Sequence, residues 1–200
     1  MKLKKQNSDA EVVKDKVVEK FSEILSSLGV DLGHPDFKET PKRLARLYRE
    51  IFDPGEKPQV TLFPNTSGEG ELVVIKDINV VLFCPHHLLP VELTVHVGYV
   101  TGKCIPGLSK VPRLAKYVSR PPKTQESYTE ELVEMIMKEV QPRGCMVIAE
   151  GRHTCMRCRG VKQKNNVVIT SAIRGVFSKP PKGKDPRSEM LELLKLSRNS

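Results

Sequence analysis

The chain has five histidines in 200 residues, and two of them stand side by side in "FCPHHLLP", residues 83–90. Cys84 precedes His87 by three positions. A thiolate and an imidazole at that spacing in a turn can both face one cation. Alone, the pair is as readily a packed turn, because buried cysteines are common. A second cluster, "HTCMRCRG", shifts the balance. Taken as a strand, it projects His153, Cys155 and Arg159 from one face and Cys158 from the other. Cys155 and Cys158 then do not chelate together as in a zinc ribbon, and Cys155 joins Cys84 and His87 instead. Three protein ligands and a vacant fourth place describe a catalytic Zn2+, whose chemistry is hydrolytic.

His86 and His153 each stand next to a ligand position. Imidazoles titrating near neutral pH are suited to proton transfer. Two blander readings stay open: a four-ligand structural zinc that recruits one of them, or surface histidines with no role. Among the other candidates, Cys104 and Cys145 sit beside or within apolar strands and read as core. His96 reads as a satisfied strand residue, His34 as loop, and Cys158 as packing.

These residues need elements to hold them. Residues 9–29 form an amphipathic helical pattern through Val12, Val13, Val17, Phe21, Ile24, Leu25 and Leu28, with Gly29 as its stop. A second helix is predicted in "ETPKRLARLYREIF", with Thr40 as cap and Pro41 in the first turn. "DPGEKP" breaks it. "ELVVIKDINVVLF" and "VELTVHVGYV" are β-rich and flank the Cys-His stretch. Two helices follow, one capped by Ser109 and one starting near Thr124 or Thr129. "GCMVIAEGRHTCMRCRG" and "NNVVITSAIRGVF" return to strand character. The order strand, strand, helix, helix, strand, strand argues for an α+β fold, an antiparallel sheet with helices on one face. The expected organisation is a helical segment over 1–58, a core over 59–180, and a basic linker with a short helix over 181–200.

Two hundred residues can bury a core without disulfide staples. The five cysteines are an odd number, and "MKLKKQNSD" is followed by no apolar stretch. A cytoplasmic, reduced protein with no membrane segment is the expectation. Much of the +9 formal charge lies in "MKLKK" and "KPPKGK". The rest is scattered through "TPKR", "LSKVPR" and "MRCRG", which suits an anionic small molecule as well as nucleic acid.

"ETPKR", "CPHHLLP", "GLSKVPRL", "TQESYT", "HTCMRCRGV" and "TSAIRGVF" together resemble, in order and spacing, the motifs of the zinc-dependent GTP cyclohydrolase I family. The likeness runs from about Thr40 to Phe177. It implies the tunnelling fold (T-fold), a homodecamer of two pentamers with active sites at subunit boundaries, and conversion of GTP and water to 7,8-dihydroneopterin triphosphate and formate. By the same resemblance the zinc ligands are Cys84, His87 and Cys155, and the catalytic histidines are His86 and His153. Glu126 would grip the guanine edge with Gln125 beside it. A carboxylate suits that task because it accepts from both the ring N–H and the exocyclic amine. Lys110, Arg113, Arg159 and Arg43 would hold the triphosphate, and Ser109 would border the same region.

Several features depart from the family pattern, "RPPKTQE" and Cys158 among them. Pro85 stands where an acidic residue is usual, and Pro112 lies in a helix start usually free of proline, where its early position is tolerable. A zinc deaminase would need Pro-Cys-x-x-Cys and an upstream His-x-Glu or Cys-x-Glu, and neither is present. A structural-zinc nucleic-acid module would leave Glu126 and the open ligand position without purpose, so nucleic acid is not expected as partner. A relative acting on a deoxy form such as dGTP has the same motifs.

Overall fold

Four β-branched stretches build one antiparallel sheet in the computed structural model, which describes residues 10–196, with side chains from residue 16. Two compact units divide the chain, Met1–Asp53 and Pro54–Ser200.

In the first unit, α1 spans Ala10–Ser27 and α2 spans Thr40–Phe52. Gly29 takes φ +80° just past α1, a left-handed turn that costs glycine little. Val12 and Val13 lie outside the residues with described side chains. Thr40 is the first helical residue of α2 rather than its cap, which falls on Glu39 without a side-chain bond. Phe21 stacks on Tyr48 with ring centroids 5.4 Å apart and ties the two helices together.

In the second unit, β1 (Leu62–Pro64) pairs with β4 (Cys104–Pro106). The main sheet has the order β2-β3-β5-β6, from Leu72–Phe83, Pro90–Val100, Gly144–His153 and Val168–Gly175. Alternation assigns one face of it to the core. Val80 and Leu82 on β2 stand opposite Leu93 and Val91 on β3, and Val95, Val97 and Tyr99 stand opposite Ala149, Val147 and Cys145 on β5. All of these are buried. Between β4 and β5 the chain forms α3 (Lys110–Val118) and α4 (Gln125–Val140), which cover that face. On α4 the buried positions Gln125, Tyr128, Thr129, Leu132, Val133, Ile136 and Val140 recur at helical spacing. Tyr128 Oη donates to Ala115 O at 3.2 Å and joins the two helices. Arg174 on β6 reaches Glu130 and Glu134 of α4, each at 2.6 Å.

The order strand, strand, helix, helix, strand, strand is therefore present. Helices do not keep to one face, however. The C-terminal α6 (Pro186–Leu196) packs Met190 against Val100, Met146, Ile148 and Phe177 on the opposite side. At Gly98 an added Cβ would lie 2.4 Å from Met190 Sδ, so a side chain there would crowd that helix. On β2, Asp77 takes φ +59° at a bulge between Ile75 and Ile78. Its N–H donates to Nδ1 of buried His96 at 3.2 Å.

Candidate metal centre

Parity along the strands delivers the site. Val80 and Leu82 face the helix-covered core, so Cys84, two residues beyond Leu82, faces it as well. Cys84 is 5% exposed. The β2–β3 connection closes tightly, with Cys84 N–H donating to Leu89 O and Leu88 N–H to Cys84 O, both at 3.0 Å. Leu88 takes φ +52° in that turn, which leaves His86 and His87 exposed at its tip. Lys123 N–H donates to Phe83 O at 3.1 Å. This fastens the lead-in to α4 beside the same strand end.

β5 ends at the same edge. Val91 pairs with His153, and His153 shares the core-facing parity of Val147 and Ala149. Strand then gives way to a single helical turn, α5 (Thr154–Arg157). The expectation of a continuous strand through 152–159 is thus corrected. The Cys158 N–H donates to Thr154 O, closing a turn of helix, and Cys158 is exposed. It is not packing, as its sequence suggested.

Cys155, half-buried on α5, comes to Cys84 and His87. One ligand atom from each of the three lies within 4.8 Å of the others, and Cys84 Sγ is 3.9 Å from His87 Nδ1. Tetrahedral zinc with ordinary sulfur and nitrogen bonds needs a sulfur–nitrogen edge of about 3.6 Å. Two soft sulfurs and one imidazole, drawn from segments some seventy residues apart, match zinc's donor preference. Burial, and then the neighbouring charge of Cys84, push the Cys155 thiol above its ordinary range.

His153, two residues before Cys155 at the end of β5, reaches α4. Its Nε2 is 2.9 Å from Gln125 Oε1. Burial lowers its pKa from the ordinary value, while the Glu126 carboxylate acts the other way. Glu126 is exposed on the first turn of α4, whose cap Thr124 accepts from Ser127 N–H at 3.2 Å. Gln125 is 2% exposed. Its Nε2 donates to Ala149 O at 2.9 Å, Val168 O at 3.0 Å and Thr170 Oγ1 at 3.2 Å.

The remaining candidates are placed less closely. Ser109 sits at the cap position of α3 in helical geometry, with no side-chain cap bond. Lys110 opens α3, and exposed Arg113 follows one turn on. Arg113, Lys116 and Arg120 line a cavity of about 230 Å³ with Tyr117. Arg159 is exposed just after α5, and Arg43 is exposed on α2 in the first unit. Gly151 and Thr170 also border Gln125, as does Thr129, which the sequence marks only as a possible helix start. A glycine inside a strand was the available signal for Gly151, since it marks a close approach. An added Cβ there would lie 2.1 Å from Gln125 Oε1.

Known proteins similar to this chain identify its family. The family profile described as GTP cyclohydrolase I matches residues 17–195. The "GTP cyclohydrolase 1" of Aquifex aeolicus is 38% identical over 182 residues, covering 91% of this chain and 97% of that protein. That of Sulfolobus acidocaldarius is 36% identical over 208 aligned positions, 99% of this chain and 98% of the relative. Among solved structures, the archaeosine synthase QueF-Like in its apo form aligns with TM-score 0.43 and 17% identity, over 52% of this chain and 93% of that one.

Proposed function

Because the chain belongs to the GTP cyclohydrolase I family, we propose that it hydrolyses GTP at purine C8, releases formate and forms 7,8-dihydroneopterin triphosphate. The observation that carries this reading is the convergence of Cys84, His87 and Cys155 within 4.8 Å, next to a half-buried His153. The strand and helix order of the Pro54–Ser200 unit supports the tunnelling fold that the family resemblance implies.

Cys84, His87 and Cys155 would hold Zn2+, one per chain. When bound, zinc supplies Lewis acidity and lowers the pKa of water. His153 would then pass a proton to purine N7 as the imidazole ring opens. Exposed His86, at the tip of the β2–β3 turn, would assist opening of the ribose and the rearrangement that closes the pterin. Glu126 would accept from guanine N1–H and the exocyclic amine, fixing the purine's orientation. Lys110, Arg113 and Arg159 make no ion pair or hydrogen bond through their side chains among the described residues. That leaves them available for the triphosphate, a task assigned also to Arg43, with Ser109 at its border.

Catalysis would lie in residues 59–180, with 1–58 as a helical extension and 181–200 as a linker and short helix. Among the described residues no helix is long and apolar enough to cross a membrane, and the proposed setting is the cytoplasm. The proposed assembly is a homodecamer. The decisive experiment incubates zinc-loaded protein with GTP and, separately, dGTP, following formate and the fluorescent pterin obtained after oxidation. Product from GTP is expected. Product from dGTP alone would reassign the substrate, and product from neither would overturn the reading.

A further inference from the structure

A chain of hydrogen bonds around buried Gln125 has its polarity set by two backbone carbonyls. Gln125 places one amide atom 2.9 Å from Ala149 O and 3.0 Å from Val168 O. A carbonyl only accepts, so the atom facing both must be the NH2 group. The flipped amide would set an oxygen against two oxygens in a buried site, an arrangement that costs two hydrogen bonds and adds repulsion. The orientation is therefore fixed, and Oε1 is the atom 2.9 Å from His153 Nε2. That oxygen carries no hydrogen, so His153 Nε2 is the donor in both the neutral and the charged ring. In the neutral ring the lone pair then lies on Nδ1.

The surroundings hold this chain in place. Thr170 Oγ1 takes a further hydrogen bond from the amide at 3.2 Å and lies 2.6 Å from Thr129 Oγ1. Thr129 Oγ1 in turn lies 2.8 Å from Gln125 O. Gly151 leaves open the space Oε1 occupies, since a Cβ there would come within 2.1 Å of it. The Gln125 side chain is 2% exposed, and both ends of its amide are engaged within the chain.

We infer that Gln125 is a positioning residue: acting through His153, it holds the imidazole as the Nε2–H tautomer and commits Nδ1 to proton exchange with substrate. This rests on the reading of His153 as the proton-transfer residue of the proposed reaction. It differs from the place beside guanine that the family resemblance gives Gln125.

Zinc-loaded protein labelled with [15N]histidine tests it, with long-range 1H–15N spectra assigned by comparison with His153→Ala. The resting protein should show His153 as the Nε2–H tautomer. Gln125→Met keeps the length of the side chain but offers neither amide group. In that variant the single-tautomer signature should be lost. Its kcat for GTP should fall by roughly ten- to a hundredfold, as for other residues that orient a catalytic imidazole, with KM within about threefold. An Nδ1–H tautomer in the wild type would overturn the inference, as would a variant that retained both the signature and kcat. Should Gln125→Met not fold, Gly151→Ala displaces Oε1 while leaving both carbonyl partners, and the same two outcomes decide. Absence of product from GTP would sink the functional reading, but the tautomer spectrum would still judge the positioning role by itself.

Discussion

Cys155 and Cys158 stand three residues apart and meet different surroundings, the first half-buried against Cys84 and the second exposed. Cys155→Ala is expected to abolish zinc binding and turnover together. Cys158→Ser should leave one zinc per chain and near-normal turnover, as metal analysis beside the GTP assay would show. Glu126 is exposed on α4 and contributes nothing visible to packing. Glu126→Ala should therefore weaken GTP binding at least tenfold, roughly the 1.5–3 kcal/mol expected of hydrogen bonds to a charged group. Zinc content and thermal midpoint should not change. Calorimetry with a slowly reacting GTP analogue measures the first, and an unaltered affinity would remove Glu126 from guanine recognition.

Elements, rather than single residues, decide how closely the site residues meet. α4 is held from the side by Leu132, Ile136 and Tyr128, all fully buried. Leu132→Ala should cost about 2–5 kcal/mol in denaturant unfolding by loss of burial and the cavity left behind. Gly175 closes the turn after β6 at φ +61°, where an added Cβ would lie 2.2 Å from Arg143 O. Gly175→Ala should destabilise through both strain and clash, and a stability within about 0.5 kcal/mol of wild type would contradict that. The three-residue spacing of Cys84 and His87 made that half of the site legible in the sequence, and strand alternation beyond Leu82 is what turns Cys84 to the core. Strand alternation carried through 152–159 misled at Cys158, because no local signal in "HTCMRC" marks the switch from strand to helical turn after His153. The opposite-face packing of α6 was equally hidden. It depends on how Met190 meets Gly98, a contact across ninety residues of chain. Gln125 was noticed only as a neighbour of Glu126. Its burial follows from helix phase together with the end of β5, which no single segment reveals.

At the scale of the whole molecule, the +9 formal charge and an anionic substrate set an expectation for salt. Rising ionic strength should raise KM for GTP more than it lowers kcat, because screening acts on triphosphate capture rather than on ring opening. Steady-state kinetics between 0.05 and 0.5 M KCl, concentrations of roughly the range over which the Debye length shrinks severalfold, would detect it. A homodecamer would have ten times the mass of the 22.5 kDa chain, and light scattering separates it from a monomer or pentamer. β2 is one margin of the main sheet, and its ladder steps out of register at Asp77. A foreign strand aligning itself there would lose stride midway, so this border resists indiscriminate zippering and fibre growth. Only a neighbour whose own backbone offers the matching offset, or one content with half the border, could dock along it.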